Sequence, residues 1–318
     1  MVPGRGGRNY AGQGSQKGGS YGAAPRTVFE GRKIRMKILV LGHKGMLGSD
    51  LMFRLTAAHD VTGIDSGDFD ITAGDDCARV IAECSPEVVI NAAAYTNVDG
   101  CEADRERCFA VNAGGVKNIA LACRGRGIRI VHFSTDYIFD GRKETPYVEA
   151  DPPAPLNVYG ASKLEGERFL EAFSDHWLLI RTAWLYGQNG KNFVKAILEK
   201  ASAVKTIDVV DDQIGAPTYS RDLAAAVQLL IEGGQEGVYH LTNRGRCSWY
   251  EFACKILLYA GKTDITVRPI RSQGLARSAV RPAWSVLSTR KFSEETGKTM
   301  RFWQIALQDY LGLTGCRG

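Results

Sequence analysis

The chain has 318 residues, of which 44% are hydrophobic, and carries a formal net charge of +5. This length suits one large α/β unit with a smaller lobe and excludes a small disulfide-stapled protein. The first 35 residues contain five arginines, two lysines and one glutamate, so the rest of the chain is close to neutral. The charge therefore gives no argument for nucleic-acid binding by the folded part.

The amino-terminal stretch, residues 1–35, holds nine of the 36 glycines and few large apolar residues. Such a segment cannot bury enough apolar surface to offset its chain entropy, so we expect a disordered Gly/Arg-rich extension. A glycine-arginine tail that binds RNA is the alternative. The stretch lacks the apolar run of a signal peptide, and no later run of about 18 apolar residues could span a membrane.

The eight cysteines form no C-x-x-C pair and no Cys/His cluster with the spacing of metal ligands. Free thiols without a secretion signal are typical of a reducing compartment. The sequence therefore predicts a cytoplasmic protein without a membrane segment or a protein-built metal site.

A glycine turn follows the first predicted strand. Residues 37–41 are a short apolar run, glycines stand at positions 42, 45 and 48, and a helical pattern of leucines comes next. This order of strand, turn and helix predicts dinucleotide binding, with the pyrophosphate at the positive end of the helix. A second strand, residues 61–65, ends in Asp65, which favours a ribose 2′-hydroxyl. Lys44 in the turn favours a 2′-phosphate instead, so the choice between NADH and NADPH stays open.

Helices and strands then alternate along the chain, with helical patterns at 75–84 and 105–124 and strands at 88–91, 128–133 and 177–181. This alternation predicts an α/β fold with a Rossmann-type doubly wound parallel sheet. We expect residues 36–186 to form the dinucleotide-binding domain. Residues 187–318 are expected to form mainly a smaller substrate-binding lobe, with some elements returning to the sheet.

Ligands of such sheets bind beyond the carboxyl ends of the strands. The second strand leads to Asp70 and Ile71. The third leads to small residues beside a tyrosine, Ala93, Ala94 and Tyr95, which would let a cofactor pass close to the backbone. The fourth leads to Thr135, which brings a hydroxyl toward the centre.

Tyr159 stands four residues before Lys163, just after a loop that contains four prolines. Residues four apart lie on one helix face, so the lysine can favour the phenolate and also hold another ligand. Such a pair suits proton donation near neutral pH.

Several motifs extend this pattern: GHKGMLG, NAAAYTNVD, FSTDYIFDG, PLNVYGASKLEGE, RTAWLYG, DDQIGAPT and RPAWSVLST, in this order between Met36 and Leu311. In these motifs the chain resembles the extended short-chain dehydrogenase/reductases, and within them the dTDP-4-dehydrorhamnose reductase family. The glycine spacing, G-x-x-G-x-x-G, is the variant of that superfamily.

The resemblance implies that Tyr159 donates a proton, that Thr135 holds the substrate oxygen, and that Lys163 binds the nicotinamide ribose and lowers the tyrosine pKa. The cofactor-binding residues that it implies are Gly42, Gly45, Met46, Leu47, Gly48, Asp65, Asp70, Ile71, Ala93, Ala94, Tyr95, Tyr159 and Lys163. The substrate-binding residues that it implies are Thr135, Asp136, Trp184 and Arg281, the last as a diphosphate ligand.

Each of these roles has a structural alternative. Asp136 could cap a turn, Trp184 could be a core aromatic, and Arg281 could be a solvated surface residue. Asn112 could satisfy backbone groups rather than hold a relay water. The five histidines do not cluster with other titratable groups, so no chemistry is assigned to them.

The implied activity is reduction of the 4-keto group of a nucleoside-diphosphate 4-keto-6-deoxy sugar by NADPH or NADH, giving a product such as dTDP-L-rhamnose for polysaccharide. A non-catalytic regulatory subunit of the same fold, like the β subunit of methionine adenosyltransferase, is one alternative. Another sugar-nucleotide epimerase, dehydratase or reductase is the second. The need for a divalent metal ion and the formation of a homodimer stay open.

Overall fold

The structure is a computed structural model in which Met1 and residues 35–315 are described. The expected extension, residues 1–35, lies almost wholly outside the described residues. The strands are β1 (Lys37–Leu41), β2 (Asp60–Ile64), β3 (Val88–Asn91), β4 (Arg129–Thr135), β5 (Trp177–Thr182), β6 (Leu185–Tyr186), β7 (Thr206–Val210), β8 (Ile214–Gly215), β9 (Thr218–Tyr219), β10 (Gly237–His240), β11 (Cys247–Ser248) and β12 (Thr266–Ile270). The helices are α1 (Met46–Leu55), α2 (Gly74–Cys84), α3 (Val98–Ala103), α4 (Arg105–Phe109), α5 (Gly115–Cys123), α6 (Val158–Phe173), α7 (Phe193–Ala203), α8 (Ser220–Glu232), α9 (Trp249–Tyr259), α10 (Arg290–Thr296) and α11 (Trp303–Leu313).

The central sheet of the described residues has six strands in the order β10-β5-β4-β3-β1-β2. Every pairing in it is parallel. The chain moves outward from β1 to β2 and then crosses back to β3, so the strand order reverses between β1 and β3. Ligands of open α/β sheets bind at such a reversal, beyond the carboxyl ends of the strands. The predicted fold class is confirmed.

Helices cover both faces of this sheet. On one face, residues of α1 and α8, such as Leu51 and Val227, join the core with the strands. On the other face α2, α5 and α6 contribute Ile81, Ile119 and Leu170. The strands are apolar on both sides because neither face meets water.

The carboxyl-terminal part has a separate core that is rich in aromatic side chains, between α7, α9, α11 and the parallel pair β7 and β12. Tyr186, Tyr219, Phe252 and Tyr310 pack here with ring centroids 5.3–5.7 Å apart. Ser248 and Glu251 stand three residues apart, a spacing that predicts a capping box, and helix α9 begins with this capping box. Not all of this part is separate, since β10 pairs with β5 in the main sheet.

The helix expected over residues 105–124 is divided in the structure. A π-helical turn, Ala110–Gly114, separates α4 from α5 and holds Asn112. Helix α6 passes close to this turn, since a Cβ at Gly166 would lie 2.3 Å from the Asn112 carbonyl oxygen. A wide turn of this kind changes which residues face the neighbouring helix.

Candidate active site

The glycine turn after β1 is closed by backbone contacts. The Gly42 N–H donates to the Ile64 carbonyl at 2.8 Å, and Gly42 has a φ of +81°, which favours glycine. A Cβ at Gly48 would lie 2.0 Å from the Gly42 carbonyl oxygen, so the turn and the first turn of α1 can pack this tightly only without side chains. Gly45 precedes α1 and has no side chain to cap it, which leaves the first amides available to an anion.

Beyond the ends of β1, β2 and β3 lies a cavity of about 670 Å³. Eight of the predicted cofactor residues line it: Gly42, Gly45, Asp65, Asp70, Ile71, Ala93, Ala94 and Tyr95. Its wall is completed by Ser66, Phe69, Thr72, Ala92, Arg107, Ala110 and Val111. The size is that of a small-molecule site, and the strand reversal places it there.

The other five predicted cofactor residues, Met46, Leu47, Gly48, Tyr159 and Lys163, do not line this cavity. The Leu47 side chain is buried in the core, so only its backbone could face a ligand. The Met46 side chain lies against Gly187, where an added Cβ would be 2.9 Å from the methionine Cγ.

The Asp65 carboxylate is bound to the glycine turn. It accepts hydrogen bonds from the Lys44 N–H and the Ser66 N–H, both at 2.9 Å. Burial raises the pKa of Asp65, but these hydrogen bonds outweigh burial and the pKa lies below its ordinary value. The carboxylate is thus charged at neutral pH, and the Lys44 side chain nearby is exposed. In the structure, therefore, Asp65 still favours NADH and Lys44 still favours NADPH.

Thr135 and Tyr159 meet where β4 ends and α6 begins. The side chain of Asn157 caps α6 by accepting from the Gly160 N–H at 2.8 Å, and Glu102 accepts from the Val158 N–H at 2.8 Å. These two caps fix the first turn of the helix, which carries Tyr159. Burial raises the pKa of Tyr159, and a hydrogen bond with Thr135 acts in the opposite direction. The phenol therefore holds its proton at neutral pH.

Lys163 does not contact the tyrosine hydroxyl. It is 2% exposed, and its Nζ lies 3.3 Å from Nε2 of His132 on β4. Burial lowers the pKa of Lys163 to about 8. The expectation that Lys163 lowers the pKa of Tyr159 is not met in this structure, because burial dominates the pKa of the phenol and the lysine Nζ is directed at His132.

Asn112 in the π turn is hydrogen-bonded to the cavity wall. Its Oδ1 accepts from the Tyr95 N–H at 2.8 Å, and its Nδ2 donates to the Tyr95 carbonyl at 3.0 Å. The same Nδ2 also lies 3.0 Å from the Ser162 hydroxyl of α6. Of the two roles considered for Asn112, the structure shows the satisfaction of backbone groups.

Arg281 is paired with an acid on α3. Two of its nitrogens donate to the Asp99 carboxylate of α3, at 3.1 and 2.6 Å, which holds the pKa of Asp99 well below its usual range. Burial raises the pKa of Tyr137, whereas the charge of Arg281 and a hydrogen bond with it lower that pKa. The Tyr137 ring meets the Tyr159 ring edge to face, with centroids 6.0 Å apart. The charge of Arg281 is therefore close to the candidate catalytic tyrosine, and Arg281 is not a solvated surface residue.

Trp184 is held in a strained conformation. Its φ of +46° is unusual for a residue other than glycine. The indole stacks on Trp249 with centroids 3.5 Å apart, and a Cβ at Gly215 would lie 2.3 Å from its Cε2. Strain of this kind persists only where the surroundings hold it, and it concentrates at functional sites.

Asp136 is buried beside Thr135, whose hydroxyl donates to its Oδ1 at 3.0 Å. Burial raises the pKa of Asp136 to about 7, although hydrogen bonds with Ser285 and Thr135 lower it. This aspartate is therefore a group that can carry either a charge or a proton near neutral pH.

Among residues 35–315, no three side chains of His, Cys, Asp or Glu lie close enough together to hold a metal ion. None of the helices in this range combines the length and the apolar character that crossing a bilayer requires.

A family model described as the RmlD substrate binding domain matches residues 36–314. The chain belongs to this RmlD family. It is 40% identical over 284 residues to a dTDP-4-dehydrorhamnose reductase of Streptomyces griseus, which covers 86% of this chain and 93% of the relative. It is 38% identical over 271 residues to a dTDP-4-keto-6-deoxy-D-glucose reductase of Streptomyces niveus, covering 85% of this chain and 94% of the relative. The crystal structure of dTDP-4-dehydrorhamnose reductase from Bacillus anthracis str. Ames in complex with NADP is similar with a TM-score of 0.86 and 36% identity, covering 88% of this chain and all of that one.

The family prediction made from the motifs is thus confirmed. What the motifs did not predict for this RmlD-family chain is the pairing of its charged groups. His132 and Asp99 received no role in the sequence analysis, yet they hold Lys163 and Arg281. A signal for His132 exists, since a polar residue interrupts the apolar run of β4 three positions before Thr135. Asp99 gives no such signal, because it stands 182 residues from Arg281.

Proposed function

We propose that this protein is an NAD(P)H-dependent oxidoreductase that reduces the 4-keto group of a nucleoside-diphosphate 4-keto-6-deoxy sugar. The conversion of dTDP-4-dehydro-L-rhamnose to dTDP-L-rhamnose is the reaction that the named reductase relatives favour. The observation that carries the proposal is the position of the protonated Tyr159, hydrogen-bonded to Thr135 in an RmlD-family fold that also has a cavity of about 670 Å³ beyond the ends of β1, β2 and β3.

The residues present fit a dinucleotide. The uncapped first amides of α1 after Gly45 are open to a pyrophosphate, and the small residues Ala93 and Ala94 leave room beside the backbone. Asp65 and Lys44 would face the adenosine ribose, and Lys163 the nicotinamide ribose. When bound, the nicotinamide supplies the hydride that reduces the keto carbon.

Tyr159 then supplies the proton. Because burial keeps the phenol protonated, it can donate to the developing alkoxide, which is the stronger base. The Thr135 hydroxyl orients the same oxygen by hydrogen bonding. Both groups lie on rigid elements, the end of β4 and the capped first turn of α6, which favours an accurate geometry.

The substrate would lie on the opposite side of Tyr159 from the glycine turn. Arg281 offers a cation to a diphosphate, Trp184 offers an aromatic face, and Asp136 offers a hydrogen-bonding carboxyl group to the sugar. We infer the two domains that the sequence predicts. Residues 36–186 would hold the cofactor, and residues 187–318 would contribute most of the substrate side. A homodimer and a cytoplasmic location stay predictions from the sequence.

The test is the exchange Tyr159→Phe, with Tyr147→Phe as a matched control that also removes one phenol hydroxyl, in this case one that donates to Asp140. General acid catalysis contributes about 10²–10⁴-fold, so kcat with dTDP-4-dehydro-L-rhamnose should fall by that factor in Tyr159→Phe while KM changes little. NADPH affinity, followed by fluorescence, should stay near wild type. The control should keep its kcat.

Equal turnover by wild type and Tyr159→Phe would remove the catalytic role of the tyrosine. A wild-type protein that binds NADPH but reduces no keto-sugar nucleotide would favour the regulatory alternative.

A further inference from the structure

Two buried polar side chains, Asn91 and His132, connect the wall of the cavity to Lys163. The Ala93 N–H donates to Oδ1 of Asn91 at 3.1 Å, Nδ2 of Asn91 lies 3.2 Å from Nδ1 of His132, and Nε2 of His132 lies 3.3 Å from Nζ of Lys163. Asn91 and His132 are each 1% exposed and Lys163 is 2% exposed. We name this row the Asn91–His132–Lys163 chain.

The direction of the hydrogen bonds in this chain is set at its first member. A backbone N–H can only donate, so the Asn91 atom that faces Ala93 is the oxygen and the atom that faces His132 is the NH₂ group. An NH₂ group is a donor, so Nδ1 of His132 must accept. Burial lowers the pKa of His132 well below its ordinary value, and the charge of a protonated Lys163 acts in the same direction, so the ring is neutral and carries one proton. That proton is then on Nε2, which faces Lys163.

The other neutral form of His132 is less compatible with these contacts. A proton on Nδ1, donated to the Asn91 backbone carbonyl, would face the Asn91 NH₂ group at 3.2 Å. Two donors at that distance repel, and the buried NH₂ group would lose its acceptor.

An Nε2–H group needs an acceptor, and an ammonium has none because all its positions are donors. A neutral amine has one lone pair. We propose that His132 is a positioning residue that, in mildly alkaline solution, holds Lys163 as a neutral amine in the cofactor-free protein, and that docking of the nicotinamide cofactor makes this amine take up a proton from the solvent. The second half rests on the proposed function.

The other groups around Lys163 oppose this effect only in part. Glu167, one turn later on α6, and Cys108 on α4 both favour the ammonium, yet burial outweighs them and the pKa of Lys163 falls to about 8. Glu167 is already paired with Arg181 at 2.7 Å. The amine is therefore neutral above about pH 8 in the free protein.

Cofactor binding favours the ammonium, because ribose hydroxyl oxygens accept hydrogen bonds and the pyrophosphate is negative. The complex thus binds more protons than the free protein between about pH 8 and the ordinary lysine pKa of 10.5. Affinity for NADPH should consequently fall as pH rises through this range, by up to about tenfold per pH unit.

The first experiment reads the proton on His132 directly. Two-bond ¹H–¹⁵N correlation spectra of the uniformly labelled full-length protein show which ring nitrogen of each histidine carries hydrogen, and His132→Gln assigns the signal by its loss. We expect a neutral ring protonated on Nε2 at about pH 9. A proton on Nδ1, or on both nitrogens, would overturn the proposal without any reference to cofactor or activity.

The second experiment measures proton uptake. NADPH titrations by calorimetry at about pH 9, in buffers of different ionisation enthalpy, should show close to one proton taken up per cofactor in the wild type. In His132→Gln the side-chain carbonyl can accept from an ammonium, so the uptake should fall by about half or more. The control His59→Gln changes a buried histidine that is paired with Glu232 and should leave the uptake unchanged.

Binding of NADPH without proton uptake in the wild type would overturn the role assigned to Lys163. Failure to bind NADPH or NADH at all would overturn the proposed function, while the spectra would still decide the state of His132. If His132→Gln does not fold, replacing each of the other four histidines by glutamine assigns their signals, the remaining signal belongs to His132, and the wild-type spectra and titrations then decide.

Discussion

The two sides of the candidate active site are built from different materials. About half of the residues that line the cofactor side are small, and the backbone approaches most closely at Gly42, Gly48 and Ala93. The substrate side is made of large side chains held by distant partners, such as Arg281 on Asp99 and Trp184 on Trp249. A wall of backbone depends on a few neighbouring residues and is specified by a short motif. A wall of side chains depends on tertiary packing, so a motif specifies its members but not their arrangement.

The largest effect is expected when a side chain is added to the glycine turn on the cofactor side. In Gly48→Ala the new Cβ meets the Gly42 carbonyl at 2.0 Å and the His43 Cα at 2.8 Å. Relief of this overlap must move the turn, at a cost of about 3 kcal/mol, so NADPH affinity should fall by roughly 10²-fold. Gly67→Ala is the control, because a Cβ there meets nothing within 4 Å. Wild-type affinity in Gly48→Ala, measured by fluorescence titration, would show that backbone approach does not form the site.

A substitution on the substrate side should change the KM for the nucleotide sugar rather than the affinity for the cofactor. Charge-assisted hydrogen bonds contribute about 1.5–3 kcal/mol, so Arg281→Gln should raise KM for the nucleotide sugar by roughly 10–100-fold. The control is Arg268→Gln on β12, which also breaks a pair with an aspartate, Asp208. Steady-state kinetics check both. A change in NADPH affinity as large as the change in KM would contradict the assignment of Arg281 to the substrate side.

The smallest effect concerns Asp65, where a side chain acts within the backbone side. Asp65→Ala removes a charge that would repel a 2′-phosphate, so the ratio of kcat/KM for NADPH to that for NADH should rise by about tenfold. Asp60→Ala, at the other end of β2, serves as control. A ratio that stays constant in Asp65→Ala would mean that the carboxylate only braces the Lys44 and Ser66 amides.

The fold was largely predictable because its signals are local. The alternation of strands and helices predicted the parallel sheet, and Ser248 with Glu251 predicted the start of α9. The cavity wall followed from strand ends, since Ala93 and Tyr95 occupy positions that any parallel sheet directs toward a ligand.

The pairing of charges was not predictable, for a physical reason. Whether Lys163 faces Tyr159 or His132 depends on a difference of a few ångströms between α6 and β4, and helical spacing alone does not contain that distance. The four-residue spacing of Tyr159 and Lys163 places a cation near the phenol, and from this the pKa of Tyr159 was expected to fall. Burial has the larger effect on this pKa and raises it, and burial is a property of the packed structure.

The π turn at Ala110–Gly114 has a consequence for how this chain tolerates changes of length. A π turn holds one residue more than the same span of α-helix, so it behaves as an insertion inside a helix. Deletion of one residue here would restore a regular helix, yet it would rotate Asn112 away from Tyr95 and displace the surface on which Gly166 packs. The helix would thus become more regular, but the cavity wall at Tyr95 would lose the side chain that holds it. At this turn, a regular helix is therefore incompatible with the cofactor site.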